Sequence, residues 1–397
     1  MAKTTAQILR DYRGPALFSF GFRPFFLLAA IWAAAAMPLW ILSFLGIGGG
    51  LASVLTLDWH VHEMLFGYAS AVIVGYMTVA GANWTGHYPV AGRPIVFLAA
   101  LWLAGRAAML AAGALGPLAA VIEAAFLLLF ALALWREQLA ASNWRNLGPS
   151  IVITLLAIAN VGFHVRLIMP DLGAAAERAA IGLITFLIAF MGGRLVPSFT
   201  RNWMARRKLA PEPASYGLLD MAALGVTGFA IALWVALPFA GLSGGLLLLA
   251  GLGLLLRLLR WRGWVAAREG MVLVLHLGYF WCALGLALLG ASILAPAQVP
   301  HSAAIHALTV GAIGVMTLAV MTRTSRSHTG RERHADGPTL VIYALANAAA
   351  ALRVIAAFAP SLHAELLLLS AACWSLAFGL FALCYGPMLL RPRYRRA

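Results

Sequence analysis

The stretch "DWHVHEMLFGYASAVIVGY", residues 58 to 76, sets His60, His62 and Glu63 at the head of an otherwise apolar run. The tail of the stretch suits hydrocarbon, whereas its head carries groups that hydrocarbon excludes. Composition decides the environment. Of the 397 residues, 63% are hydrophobic and 10% charged, with a mean hydropathy of +0.90; in a soluble domain about a quarter of the residues are charged. The chain therefore reads as a polytopic membrane protein, and the head of the quoted stretch as a polar site at the edge of the bilayer.

Segments of about 20 apolar residues, enough to cross about 30 Å of hydrocarbon at 1.5 Å per residue, recur twelve times. They are expected near 25–47, 59–82, 95–113, 117–135, 149–169, 177–197, 217–238, 241–261, 270–289, 301–322, 338–358 and 362–389. The predicted architecture is an all-α transmembrane bundle of about twelve helices over residues 25–389, between a polar, basic segment, 1–24, and a basic tail, 390–397. The seventh and eighth spans are joined so tightly that eleven is the alternative count. The first 24 residues lack the apolar core of a signal peptide, so the first span is expected to stay in the protein.

Charge gives an independent test, because Lys and Arg concentrate on cytoplasmic loops. With the N-terminus inside, the inner segments hold Arg10, Arg13 and Arg23; Arg93; Arg136 and Arg145; Arg201, Arg206, Arg207 and Lys208; Arg257, Arg260, Arg262 and Arg268; Arg323, Arg326, Arg331 and Arg333; and the tail from Arg391 to Arg396. The outer loops hold almost none. Both termini are thus expected in the cytoplasm. The net charge of +15 follows from this topology and from contact with anionic membrane lipid, and implies no nucleic-acid partner. The pairs Asn83-Trp84, Asn143-Trp144 and Asn202-Trp203 recur at inner helix ends and read as interfacial anchors. Cys282, Cys373 and Cys384 stand singly in apolar runs, which argues against disulfides and thiolate metal sites.

The histidines fall into groups by depth. His60 and His62 open the second helix, His301 and His306 the tenth, and His164 lies near the outer end of the fifth; His276 is in the inner part of the ninth, while His87 and His328 lie at inner ends or loops. On a regular helix His60 and His62 are about 200° apart, so they cannot chelate one ion and must address different neighbours, whereas His60 and Glu63 share a face. Phe66 stands where a zinc-protease motif needs its second histidine, which removes that reading. A neutral imidazole in a helical bundle suits haem iron or copper, and His306, at similar depth, is the expected facing ligand. His164, His301, His334 and His363 read as ordinary hydrogen-bonding side chains.

The segments "FSFGFRPFF" (18–26), "DWHVHEM" (58–64), "NWTG" (83–86), "GGRLVPSFTRNW" (192–203), "HLGYFW" (276–281) and "HALTVGAIGVMTLAVMTRTSRSHTGR" (306–331) occur in that order. Together they resemble the NnrS family, bacterial inner-membrane proteins associated with haem, copper and the response to nitric oxide. The resemblance implies His60, His62, His276, His306 and His328 as metal-binding histidines, with Arg194 and Arg323 beside them. It departs at Ser327, where a glycine is expected before His328. Helices six to eight carry no histidine, so a copper site cannot follow the haem-copper oxidase pattern. His276 and Tyr279 share a face of the ninth helix and pair with His328 in a candidate second centre.

Arg106, Arg166, Arg178 and Arg353 lie in the outer half, against the charge rule. Haem propionates directed outward suit guanidinium forks, which makes Arg106 and Arg353 cofactor-binding candidates; the competing use of Arg106 is pairing with Glu123. With no C-x-x-C-H for covalent attachment, the expected cofactor is haem b, with copper as a further candidate. The resulting expectation is a haem-binding inner-membrane protein of nitric oxide metabolism or tolerance, with nitric oxide as ligand and its electron donor open. Two alternatives stand beside it: a nitric-oxide-reducing oxidoreductase drawing on Glu63, Glu123 and Tyr279 for proton transfer, and a transporter of haem, copper or another solute built on Gly192, Gly193 and Pro197.

The charge pattern makes a direct prediction. A topology reporter fused after Ala397 should read as cytoplasmic and one inserted after Ala297 as periplasmic; an outward C-terminus would break both the even helix count and the grouping of histidines by depth.

Overall fold

The structure is a computed structural model that describes all residues except 1–6, 8–10, 48, 86–90, 142–146, 211 and 394–397. The side chains of Asn83 and Trp84, together with His87 and the Asn143-Trp144 pair, lie outside the described residues. Among those described there are helices and no strand. In chain order the long helices are α1 (Phe22–Phe44), α2 (Leu57–Ala80), α3 (Arg93–Leu110), α4 (Pro117–Ala140), α5 (Leu147–His164), α6 (Pro170–Arg206), α7 (Leu218–Ala236), α8 (Gly241–Arg260), α9 (Gly270–Leu294), α10 (His301–His328), α11 (Gly337–Phe358) and α12 (Pro360–Leu390). All but α5 are long and apolar enough to cross a membrane. The all-α, multi-pass architecture expected from the sequence is the one observed.

Local chemistry sets the helix ends. Thr56 caps α2, its Oγ1 accepting the Trp59 N–H at 3.2 Å, and Asp336 caps α11, its Oδ1 accepting the Thr339 N–H at 3.2 Å. Pro117 and Pro170 open α4 and α6, where their missing N–H costs nothing. The doubtful span is not the eighth, which is a helix of its own, but the fifth. Its apolar part covers only Ser150–His164, and the chain then turns through Arg166, paired with Asp58 at 3.3 Å, to Pro170. Helix α6 runs for 37 residues, through Pro197, well beyond the span read from hydropathy.

Two helices depart from regular α geometry. After His62, α2 passes into a π-helical segment, Glu63–Ala69, before resuming. After His306, α10 does the same over Ala307–Gly314. Such i→i+5 segments are rare and concentrate at functional positions. In α2, side chains occupy carbonyls in and beside the altered register: Trp102 Nε1 donates to the Gly67 oxygen at 2.9 Å, and the Ser70 hydroxyl donates to the Phe66 oxygen.

The chain divides into two compact units. One comprises Met1–Ala176, Met321–Glu332 and Phe378–Ala397; the other comprises Glu177–Val320 and Arg333–Ala377. In the first, α1 packs on α2, α3 on α4, and α4 on α5. Arg23, in the first turn of α1 and only 3% exposed, donates through Nη1 to the Leu389 and Arg391 carbonyls at 3.0 and 2.7 Å. It thereby caps the C-terminal end of α12; the charge count had placed it among loop residues. In the second unit, α8 lies on α9 along small residues, Gly244 against Gly290 and Gly251 against Ala283 and Ala287. Close helix packing of this kind is expected where no water drives helices together.

Candidate metal centre

Five polar side chains of the first unit meet with almost no exposure: His62 and Glu63 from α2, Arg106 from α3, Glu123 from α4 and Asn160 from α5, each 3% exposed or less. Arg106 is the hub. Its Nη1 donates to Glu63 Oε2 and its Nη2 to Glu123 Oε1, both at 2.5 Å. Of the two uses of Arg106 weighed from the sequence, this geometry is the pairing of protein side chains. Trp32 Nε1 donates to the same Glu63 oxygen at 2.7 Å, and Trp102 stacks its ring under the guanidinium at 5.6 Å. Gly67 makes the approach feasible. A β-carbon there would collide with Arg106 Nη1 and stand 2.8 Å from Glu63 Oε2, so the π segment brings a residue without a side chain to the crowded point.

The remaining carboxylate oxygen collects nitrogen atoms. Glu123 Oε2 accepts Asn160 Nδ2 at 2.8 Å and lies 3.0 Å from His164 Nε2 and 3.3 Å from His62 Nε2. The two imidazole rings are 4.9 Å apart. His62 Nδ1 is 3.0 Å from Glu63 Oε1; an Nδ1–H donated there leaves Nε2 as the basic nitrogen, the arrangement by which a carboxylate orients a ligating histidine. Although His62 Nε2 is near Glu123, it is off the line of a hydrogen bond and has no such partner. His62, Glu123 and His164 thus offer three ligand atoms all within 4.8 Å of one another. Atoms bound to one ion at about 2.1 Å each are separated by about 3 Å, the spacing at which Glu123 Oε2 stands from each imidazole nitrogen. Two imidazoles and a carboxylate suit copper, zinc or iron.

Charge points the same way. Two carboxylates share one guanidinium in a buried site, leaving one negative charge that a proton on an imidazole or a cation among the ligands must offset.

The other site candidates make contacts of their own. His60 turns away from His62, as their angular separation required, and stacks on Trp40 with ring centroids 4.2 Å apart. His328 packs between Phe20 and Phe22, at 5.5 and 5.6 Å. In the second unit, His276 Nε2 meets Thr200 Oγ1 at 2.9 Å and its buried Nδ1 has no hydrogen-bond partner. His306 Nδ1 is 2.7 Å from the Ser302 carbonyl, which fixes Nδ1 as the donor and Nε2 as the basic nitrogen. Of the outer arginines, Arg166 pairs with Asp58 at 3.3 Å and Arg178 donates to the Val235 carbonyl at 3.2 Å. Arg353 Nη1 is buried without a partner among the described residues. Sequence reasoning set His164 aside and passed over Asn160. Their signal is spacing: at i and i+4 they share one face of an apolar helix.

Residues 16–393 match the family model described as NnrS protein. The chain belongs to the NnrS family. The match spans nearly the whole sequence, so every motif that suggested the resemblance falls inside it. No curated protein matches the chain.

Removing the hub should be expensive. Arg106→Met strands two buried carboxylates and is expected to cost about 3–5 kcal/mol, seen as a lower unfolding temperature in detergent. Arg136→Met removes an 85% exposed side chain paired with Glu137 and should change it little.

Proposed function

We propose that this protein is a metal-binding membrane protein of the nitric oxide response, holding a transition-metal ion, copper by preference, at His62, Glu123 and His164 and a haem b in the second unit. The buried triad with its excess negative charge carries the reading. The three groups fit an ion by donor type and spacing, and the surrounding protein does what a metal site requires. Glu63 orients His62, Arg106 and Asn160 hold Glu123, and the rings of Phe66 and Phe163, 5.4 and 5.6 Å from His62, exclude water and lower the local dielectric.

Haem finds two suitable groups. His306 presents a basic Nε2 through the Ser302 contact, and the stranded Arg353 Nη1 is the partner that a propionate would supply. Helices α10 and α11 pack together and are joined by the short segment between His328 and Gly337, so they run antiparallel and Arg353 lies toward the His306 end. When bound, the metals supply a coordination position for a diatomic ligand. The residues around them orient imidazoles, balance charge and keep the sites dry, and nitric oxide needs no polar path because it partitions into apolar protein. The arginine distribution favours both termini on the cytoplasmic side, and membership of the family suggests the bacterial inner membrane.

The two sites separate by assay. Purified protein from cells supplied with haem and copper should be red, yield its haem to acid-acetone and carry copper. His306→Ala should bleach or shift the haem spectrum and spare copper; His164→Ala should lose copper by elemental analysis and spare haem. Nitric oxide added to the reduced protein should perturb the absorption spectrum. A colourless, metal-free preparation would overturn the reading.

A further inference from the structure

The second unit carries a cavity of about 350 Å³ whose lining includes Gly193, Arg194, Ser198, Arg201, Tyr216 and Asp220. It lies where α6 nears its end, α7 begins and α8 finishes. Arg194, Ser198 and Arg201 are spaced i, i+4 and i+7 along α6, so one helix stripe furnishes three of its polar groups.

The wall is basic. Arg201 pairs with exposed Glu212 at 3.1 Å. Arg194 stacks on Phe190 at 4.6 Å and makes no hydrogen bond or ion pair among the described residues, and the hydroxyls of Ser198 and Tyr216 make none either. Within the lining, Asp220 accepts Arg257 Nε at 2.9 Å and Arg260 Nη1 at 3.1 Å from behind the wall. Arg257, counted from the sequence as a loop charge, is in fact fully buried within α8. It also reaches the Tyr279 hydroxyl at 2.6 Å, but its Nη2 has no partner and lies against Gly193, where a β-carbon would collide with it. Four guanidinium groups, Arg194, Arg201, Arg257 and Arg260, are thus set against two carboxylates, Asp220 of the lining and the exposed Glu212.

We propose that this cavity binds the phosphate group of a phosphate ester, through the free fork of Arg194, the charge of Arg201 and the hydroxyls of Ser198 and Tyr216. The oxyanion would complete the hydrogen bonding of a wall that the protein leaves unfilled, and its volume, at the lower end for small-molecule sites, admits a phosphate with a small organic group. Two sources share that chemistry: an anionic phospholipid headgroup and a soluble phosphate ester.

Full-length protein in neutral detergent would be titrated with glycerol 3-phosphate against glycerol, and separately with phosphatidylglycerol against phosphate-free dioleoylglycerol. Native mass spectrometry and protection from thermal unfolding would read binding. In at least one pair the phosphate-bearing member should bind tenfold or more tightly than its match. Arg194→Gln with Ser198→Ala should weaken it about tenfold, the scale of one charge-assisted contact. Tyr216→Phe, a milder change at an exposed position, should weaken it severalfold, and Arg207→Gln, which stacks on Trp203 outside the cavity, should leave it unchanged. Binding of glycerol 3-phosphate identifies a soluble ester; binding of phosphatidylglycerol alone identifies a headgroup. Equal binding within both pairs, or lining variants that bind like the natural protein, overturns the proposal.

Discussion

A carboxylate inside a lipid-embedded fold is tolerated only beside a cation, and Arg106 serves two of them at once. The fork that joins Glu63 to Glu123 ties α2, α3 and α4 at one point, and Asn160 extends the tie to α5. Because these groups are nearly unexposed, their attraction is barely screened, and the cost of breaking it exceeds that of any surface pair. The same geometry uses up the guanidinium on one oxygen of each glutamate. The other Glu123 oxygen is left to the imidazoles, so the helix packing of the first unit and the chemistry of its polar core rest on one set of bonds.

Much of this was legible in the sequence, for identifiable reasons. Hydropathy marks spans because lipid selects whole segments, and helix angle alone sent His60 and His62 to different neighbours. Adjacent helices with charges at similar depth made the Arg106–Glu123 contact one of two readings, the other being a haem propionate, and local sequence could not choose between them. What stayed hidden depends on contacts between distant segments. The partner of His164 is Glu123, 41 positions away on another helix, and nothing local distinguishes such a histidine from one that bonds to its own backbone. Arg257 looked like a loop charge because it sits at the end of an apolar run; its burial depends on Asp220 and Tyr279 from two other helices. Where hydropathy was read too literally, it shortened α6 and lengthened α5.

The π segments were invisible for a different reason. A change of hydrogen-bond register alters no composition, and apolar residues fill both forms equally well. Yet α2 and α10 make the same move at the same place, directly after His62 and His306. A wider turn shifts the phase of every later residue, so the histidine and the face below it are set separately. In α2 this brings Gly67 beneath Arg106 and leaves its carbonyl to Trp102. The parallel in α10 singles out His306 among the second unit's histidines without appeal to any motif.

The Arg23 clamp on α12 carries a consequence for biogenesis. Its acceptors, the Leu389 and Arg391 carbonyls, lie 366 and 368 positions further along the chain, and the first unit draws on three separate stretches of chain, with the second unit nested between them. The N-terminal helices, with every residue of the ionic core from His62 to His164, are therefore made well before the segment that Arg23 clamps. The second unit has all of its chain by Ala377, before the Phe378–Ala397 stretch of the first. The unit that begins first is thus finished last, and its ionic core must hold the N-terminal helices together in the meantime.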